Sequence, residues 1–418
     1  MNHAFAAVFL AALLASTGTR LWLAARQMRH VRAHRNAVPD PFAGAIPLAA
    51  HQKAADYTVA KTGVGMADAC LSLVLVLALT FGGALQWLSD AWARVAPPFG
   101  IAHSVALIVS VVVLLSLIEL PLTLVRTFVV EARFGFNRMT PKLFLIDLAK
   151  QALISALLGI PLLVLVLWLM ARMGELWWIW VWLAWAGFNL LMLLIYPTFI
   201  APLFNRFSAL ADQGLAARIE ALLARCGFRS SGLYVMDSSK RSSHGNAYFT
   251  GFGAAKRIVF FDTLLARLAP AEIEAVLAHE LGHFKRHHVW KRIAVLFAAS
   301  LALLWVLGQL IGQPWFYTGL NVTTMSTATA LLLFVLVTPA FTFLLQPLVS
   351  LHSRRHEFEA DAYAAAHSSA IELVQALVKL YQDNASTLTP DPIHSAFYDS
   401  HPPAATRIGR LRAGLRTA

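Results

Sequence analysis

Residues 271–312, AEIEAVLAHELGHFKRHHVWKRIAVLFAASLALLWVLGQLIG, carry two unlike signals in one continuous run. After Pro270 the apolar residues Ile273, Val276, Leu277 and Leu281 recur at helical spacing, which predicts a helix over 271–290. From 291 to 312 the chain is apolar over the roughly 20 residues that a bilayer span requires. On the first part, His279 and His283 stand four residues apart, about 40° around the axis, and share one face. Two imidazoles so placed can bind one cation, and Glu280 beside them can hold a water on it. This is the H-E-x-x-H arrangement of zinc peptidases. The bland alternative is a helix whose histidines are merely solvated at a membrane surface. On either reading the helix runs directly into a span.

Composition agrees with a membrane protein. Hydrophobic residues make up 58% of the 418 and charged residues 13%, where soluble domains carry roughly 25% charge. Seven stretches qualify as spans, at about 4–25, 66–88, 102–125, 151–171, 176–196, 291–312 and 328–350. Nothing basic precedes the first, while Arg20, Arg26, Arg29, Arg32 and Arg35 follow it. That polarity suits an uncleaved anchor with its N-terminus outside. Threading the chain from there leaves only Arg94 and Arg172, of 34 Lys and Arg, in outside loops. The net charge of +12 thus reflects orientation, with membrane lipid as the partner. No nucleic acid is expected, because no basic face with base-stacking elements accompanies the charge. Cys70 and Cys226 lack metal-type spacing and read as packing residues.

Arg20, Asp68 and Glu119 fall inside spans, and such groups face the bundle interior or a water-filled cavity. Two readings stay open: pairing within the bundle or snorkelling at its edges, and an aqueous intramembrane chamber. The organisation expected is an N-terminal membrane region over 1–199 with five spans, and a metallopeptidase part over 200–290. Spans six and seven follow over 291–350, and a C-terminal part over 351–418. Within 200–290 an amphipathic helix (Ala216 to Cys226) leads to a short strand at Leu233–Met236. Asn246–Phe252 and Arg257–Phe261 then form a hairpin joined by Gly253–Lys256. The fold class is mainly α, a seven-helix membrane bundle with a zincin-like cytoplasmic domain holding a small sheet.

A catalytic zinc needs a third protein ligand and an open position. The block Ser353–Asp361, SRRHEFEAD, offers Glu357 and Asp361 on one helical face, with Glu359 pointing elsewhere. Glu357 is assigned as the ligand, and Asp361 as acceptor of the free ring N–H of a ligating histidine. His287, His288, His352 and His356 compete on paper, although a third ligand farther along one straight helix reaches the metal poorly.

These motifs in this order resemble the type I CAAX prenyl proteases, integral-membrane zinc peptidases. The resemblance spans nearly the whole chain: Glu131–Thr140 (EARFGFNRMT), Pro197–Asn205 (PTFIAPLFN), Gly245–Tyr248, the histidine helix, Ser353–Asp361 and His401-Pro402. It implies seven helices around a large chamber closed by the zinc domain on the cytoplasmic side. It also implies cleavage near the C-terminus of a peptide or lipidated protein. Asn246 and Ala247 fall at its substrate edge, and His401 and Arg407 in its late substrate-binding segment. Physically, the 246–252 strand can pair with an extended peptide. A His or Arg beside the metal can stabilise an oxyanion, and Arg407 alone would also suit lipid headgroups. Glu280 is the expected proton carrier, with His401 as the second catalytic group. Two rivals are a quality-control protease of the HtpX heat-shock type, typically with four spans, and a non-catalytic lipid- or solute-binding protein. The excess of Arg over Lys and the abundance of Ala suggest a bacterial inner membrane.

Overall fold

The computed structural model describes residues 1–250 and 255–417. Among them seven helices are long and apolar enough to cross a membrane: Asn2–Ala33, Leu48–Leu79, Ile101–Glu131, Pro141–Arg172, Gly174–Phe204, His288–Leu310 and Thr327–His367. Several extend well beyond the apolar windows. The fourth starts at Pro141, capped by the Thr140 hydroxyl on the Leu143 N–H, because Lys142, Asp147 and Lys150 are helical without being apolar. The second is displaced more. It runs from Leu48 to Leu79 and ends before Gly83, whose φ of +74° breaks the helix. The apolar reading over 66–88 ran across that turn into a separate short helix, Ala84–Ala93.

Six of the seven spans bury few of their residues, 6–22% of the most apolar window, whereas the seventh buries 44%. Arg20 and Asp68 both line a cavity of about 500 Å³ between the first, second and seventh spans. The Arg20 guanidinium lies 3.8 Å over the Phe343 ring. Glu119 stays exposed on its helix.

Outside the spans a four-stranded sheet forms, ordered β1-β2-β4-β3. Its strands are β1 Phe207–Ala209, β2 Arg229–Met236, β3 Ala247–Thr250 and β4 Ala255–Phe261. β3 and β4 are antiparallel with Ala247 opposite Phe260, so the expected hairpin pairing holds. Residues 251–254 lie outside the described part, and Ala255 and Lys256 belong to β4 rather than to the connection. β4 also pairs in parallel with β2, which leaves β3 as an edge. The amphipathic helix occupies Gln213–Cys226, capped by Asp212 at Leu215 N–H and ended by Gly227 at φ +79°. Its Ile219, Leu222 and Leu223 pack with Ile258 and Phe260 of β4 and with Ile273, Leu277 and Leu281 of the histidine helix. At roughly 25 cal/mol per Å² of apolar surface buried, this core holds the metal-facing helix rigidly against the sheet.

Two polar clamps tie the domain to the membrane bundle. Arg241 makes a bidentate pair with Asp147 at 2.7 and 3.0 Å and reaches Asn205 at 2.9 Å. Asn384 Oδ1 accepts from Gly245 N–H at 3.2 Å and faces His244 Nδ1 at 3.1 Å. The other nitrogen of His244 lies 3.5 Å from Glu131, and Glu131 accepts from the Tyr57 hydroxyl. Both clamps grip the loop that leads into β3. The 131–140 and 197–205 segments therefore help place the sheet edge relative to the bundle.

Candidate metal centre

Pro270 opens the histidine helix at its first turn, where its missing N–H is no loss. Glu272 accepts from Ala269 N–H at 2.7 Å. The helix ends at Lys285, not at 290. His287 adopts a left-handed conformation, φ +57°, and a new helix starts at His288. The expected continuous passage into the sixth span is therefore a sharp turn. Its consequence is that His287 and His288 do not continue the histidine face.

His279 and His283 point their Nε2 atoms at each other, 3.3 Å apart. The facing helix, Gln346–His367, brings Glu357 against both, with carboxylate oxygens 3.4 Å from His279 Nε2 and 3.4 Å from His283 Nε2. All three residues are buried, and among the described residues they form the one His/Cys/Asp/Glu group close enough to hold an ion. Tetrahedral zinc with bonds of about 2.0–2.1 Å has ligand–ligand edges of about 3.3–3.4 Å. The His279–His283 separation matches that figure, and each Glu357 oxygen lies at that distance from one ring, Oε2 from His279 and Oε1 from His283. Glu357 Oε2 is moreover buried without a hydrogen-bond partner, a costly state unless a cation meets it. The donor set fits a zinc ion.

Asp361 sits behind this group, 2.8 Å from His279 Nδ1. Arg407 is buried, with both arms on Asp361: Nε at 2.9 Å and Nη2 at 2.6 Å. Its side chain is thus committed beneath the centre. His401 is exposed and brings its Nε2 to 3.4 Å from Glu357 Oε1. Asn246 is exposed just before β3, and its Oδ1 accepts from Ala247 N–H at 2.8 Å. From sequence His288 counts only as a competing ligand and Glu359 points elsewhere, whereas the structure brings both together behind His283. The only signal for this contact was the His287-His288 pair after the motif, which a straight helix turns away from the site.

The electrostatics separate the histidines. Burial works against a charged His279, but Asp361 and Glu357 outweigh it and hold the imidazole up at about 9. Burial and the nearby positive charge of His279 push His283 down to about 3. Burial raises the Glu280 carboxyl above its ordinary value, with His279 opposing.

Seven spans joined to a buried His-His-Glu centre on a small sheet define a membrane-embedded metallopeptidase. The description "CAAX prenyl protease N-terminal, five membrane helices" matches residues 27–206, and peptidase family M48 matches residues 209–414. The chain is 34% identical to the CAAX prenyl protease 1 homolog of Arabidopsis thaliana, covering 89% of each. It is 36% identical to CAAX prenyl protease 1 of Saccharomyces cerevisiae, over 71% of this chain and 69% of that one. The crystal structure of S. mikatae Ste24p superposes with a TM-score of 0.89 at 29% identity, covering 97% and 98% of the two chains. The chain belongs to the CAAX prenyl protease family, and it is an integral-membrane metalloprotease of that type.

Proposed function

We propose that this chain is a zinc endopeptidase that cuts near the C-terminus of a peptide or lipidated protein, with the metal held by His279, His283 and Glu357. The observation that carries the reading is the meeting of three buried donor residues, with their nitrogens and carboxylate oxygens 3.3–3.4 Å apart, and with Glu280 next to His279 in the chain. Zinc bound there would supply Lewis-acid polarisation of the scissile carbonyl and a more acidic water. Glu280 takes the proton of the attacking water and delivers it to the leaving amine. His401, at the open side of Glu357, donates to the oxygen that gains charge. Asp361 and Arg407 act through His279: the carboxylate accepts its Nδ1–H and so leaves Nε2 free to ligate. Arg407 is accordingly proposed as a positioning group rather than a substrate contact. β3 is a sheet edge among the described residues, and its Phe249 ring centroid lies 5.7 Å from that of Phe284 on the histidine helix, so an extended substrate adds to it by backbone pairing, with Asn246 and Ala247 at its start.

The distribution of Lys and Arg supports an N-terminus outside and a site facing the cytoplasm, and Arg and Ala usage supports a bacterial inner membrane. The test is E280Q in the purified protein, with products mapped by mass spectrometry on prenylated and unprenylated peptides. E280Q is expected to keep zinc and lose cleavage. Full activity in that variant refutes the assignment, and equal cleavage of both peptides refutes a lipid requirement.

A further inference from the structure

His283 has a second contact that the ligand set does not use. Its Nδ1 lies 3.0 Å from His288 Nδ1, and His288 Nε2 lies 3.0 Å from Glu359 Oε2. The His288 side chain has 0% exposure, whereas Glu359 is 47% exposed. His356 stacks flat on His288, with centroids 4.0 Å apart and planes 10° apart, which fixes the ring plane. The left-handed turn at His287 is what folds His288 back onto His283.

One arrangement of protons satisfies both contacts and leaves His283 Nε2 able to ligate. His283 Nδ1–H donates to His288 Nδ1, and His288 Nε2–H donates to the Glu359 carboxylate. With the reverse polarity in a neutral pair, a bare His288 Nε2 would face a carboxylate oxygen, and the His283 proton would sit on Nε2, where the metal must bind. We propose that His288 is a positioning residue for the metal centre, a buried imidazole that links His283 to Glu359 and locks its metal-binding tautomer. The two histidine ligands are then both anchored to carboxylates, His279 directly on Asp361 and His283 through an interposed ring. The proposal rests on the metal reading above.

The test measures zinc affinity of the full chain in detergent by competition with a chelating dye at neutral pH. H288F keeps a buried ring for the His356 stack and removes the acceptor. Its zinc affinity is expected to fall about 10- to 100-fold, with the melting temperature of the metal-free form little changed. E359Q, changed at a half-exposed group, is expected to lose less. Because both act on one ligand, the H288F/E359Q double variant loses no more than H288F alone. D361N, on the other ligand, multiplies with E359Q. Zinc affinity of H288F within twofold of the parent overturns the proposal, as does a multiplying H288F/E359Q pair. If H288F does not fold, unchanged affinity in E359Q overturns it. A parent chain that binds no zinc instead sinks the metal reading itself.

Discussion

Gly282, between the two histidines, is the point where the metal centre is most exposed to a small steric change. A Cβ there would lie 3.0 Å from Ala360 Cα, 3.0 Å from Tyr363 Cβ and 3.3 Å from the Ala360 carbonyl oxygen. Carbon atoms sit comfortably at about 3.5–4.0 Å, so G282A must part the two helices by about 0.5–1 Å. The obstructing atoms are backbone or adjacent to it and cannot rotate away. Overpacking of this kind costs about 1–3 kcal/mol, and replacing Gly by Ala in a helix returns about 1 kcal/mol. The global loss is therefore about 0–2 kcal/mol, a drop of a few °C at most in melting temperature. The metal centre is less forgiving. Glu357 lies one helical turn before Ala360, and its oxygens stand 3.4 Å from the two Nε2 atoms. Ligand distances tolerate about 0.2 Å. A shift of half an ångström or more should lower zinc affinity at least about tenfold and kcat/KM about 100-fold. The assay is chelator competition together with peptide hydrolysis at saturating zinc, beside a thermal melt. A G282A protein with zinc affinity and kcat/KM within twofold of the parent would show that close helix approach does not set the ligand geometry.

Two further outcomes follow from buried charges away from the metal-facing atoms. Arg407 grips Asp361 with two parallel bonds inside the protein, so R407A leaves the buried carboxylate only its His279 partner and should cost about 3 kcal/mol. R407K, which cannot fork, should recover only part of the melting temperature and of the zinc affinity. Asp391 is buried; burial opposes its charge, but N–H groups of His394 and Ile393 and the Arg26 guanidinium hold its carboxyl below the ordinary value. Because the folded-state value is depressed, the stability it contributes is full above the unfolded value of about 3.9 and is lost as pH falls through the folded one. The melting temperature of D391N should thus lie below the parent's by a constant margin between about pH 5 and pH 8, a margin that shrinks only in stronger acid. A margin that shrinks already near pH 6 would refute this.

What the sequence by itself determined is local and periodic. Run length and charge bias marked a seven-span membrane protein, because crossing a bilayer demands about 20 apolar residues whatever the fold. The 3.6-residue period put His279 with His283, and Glu357 with Asp361, on single faces. Windows of apolarity could not see where helices stop. The second span starts and ends earlier than its apolar run, because 48–65 is helical without being apolar and a turn at Gly83 separates the run's last residues into another helix. The tertiary structure alone decided which faces meet. The turn at His287 brings His288 under His283, and a distant C-terminal helix puts Arg407 on Asp361. The sheet order leaves β3 at the edge. Each of these depends on contacts between residues far apart in the chain or on one backbone angle at a turn, and neither composition nor periodicity records them.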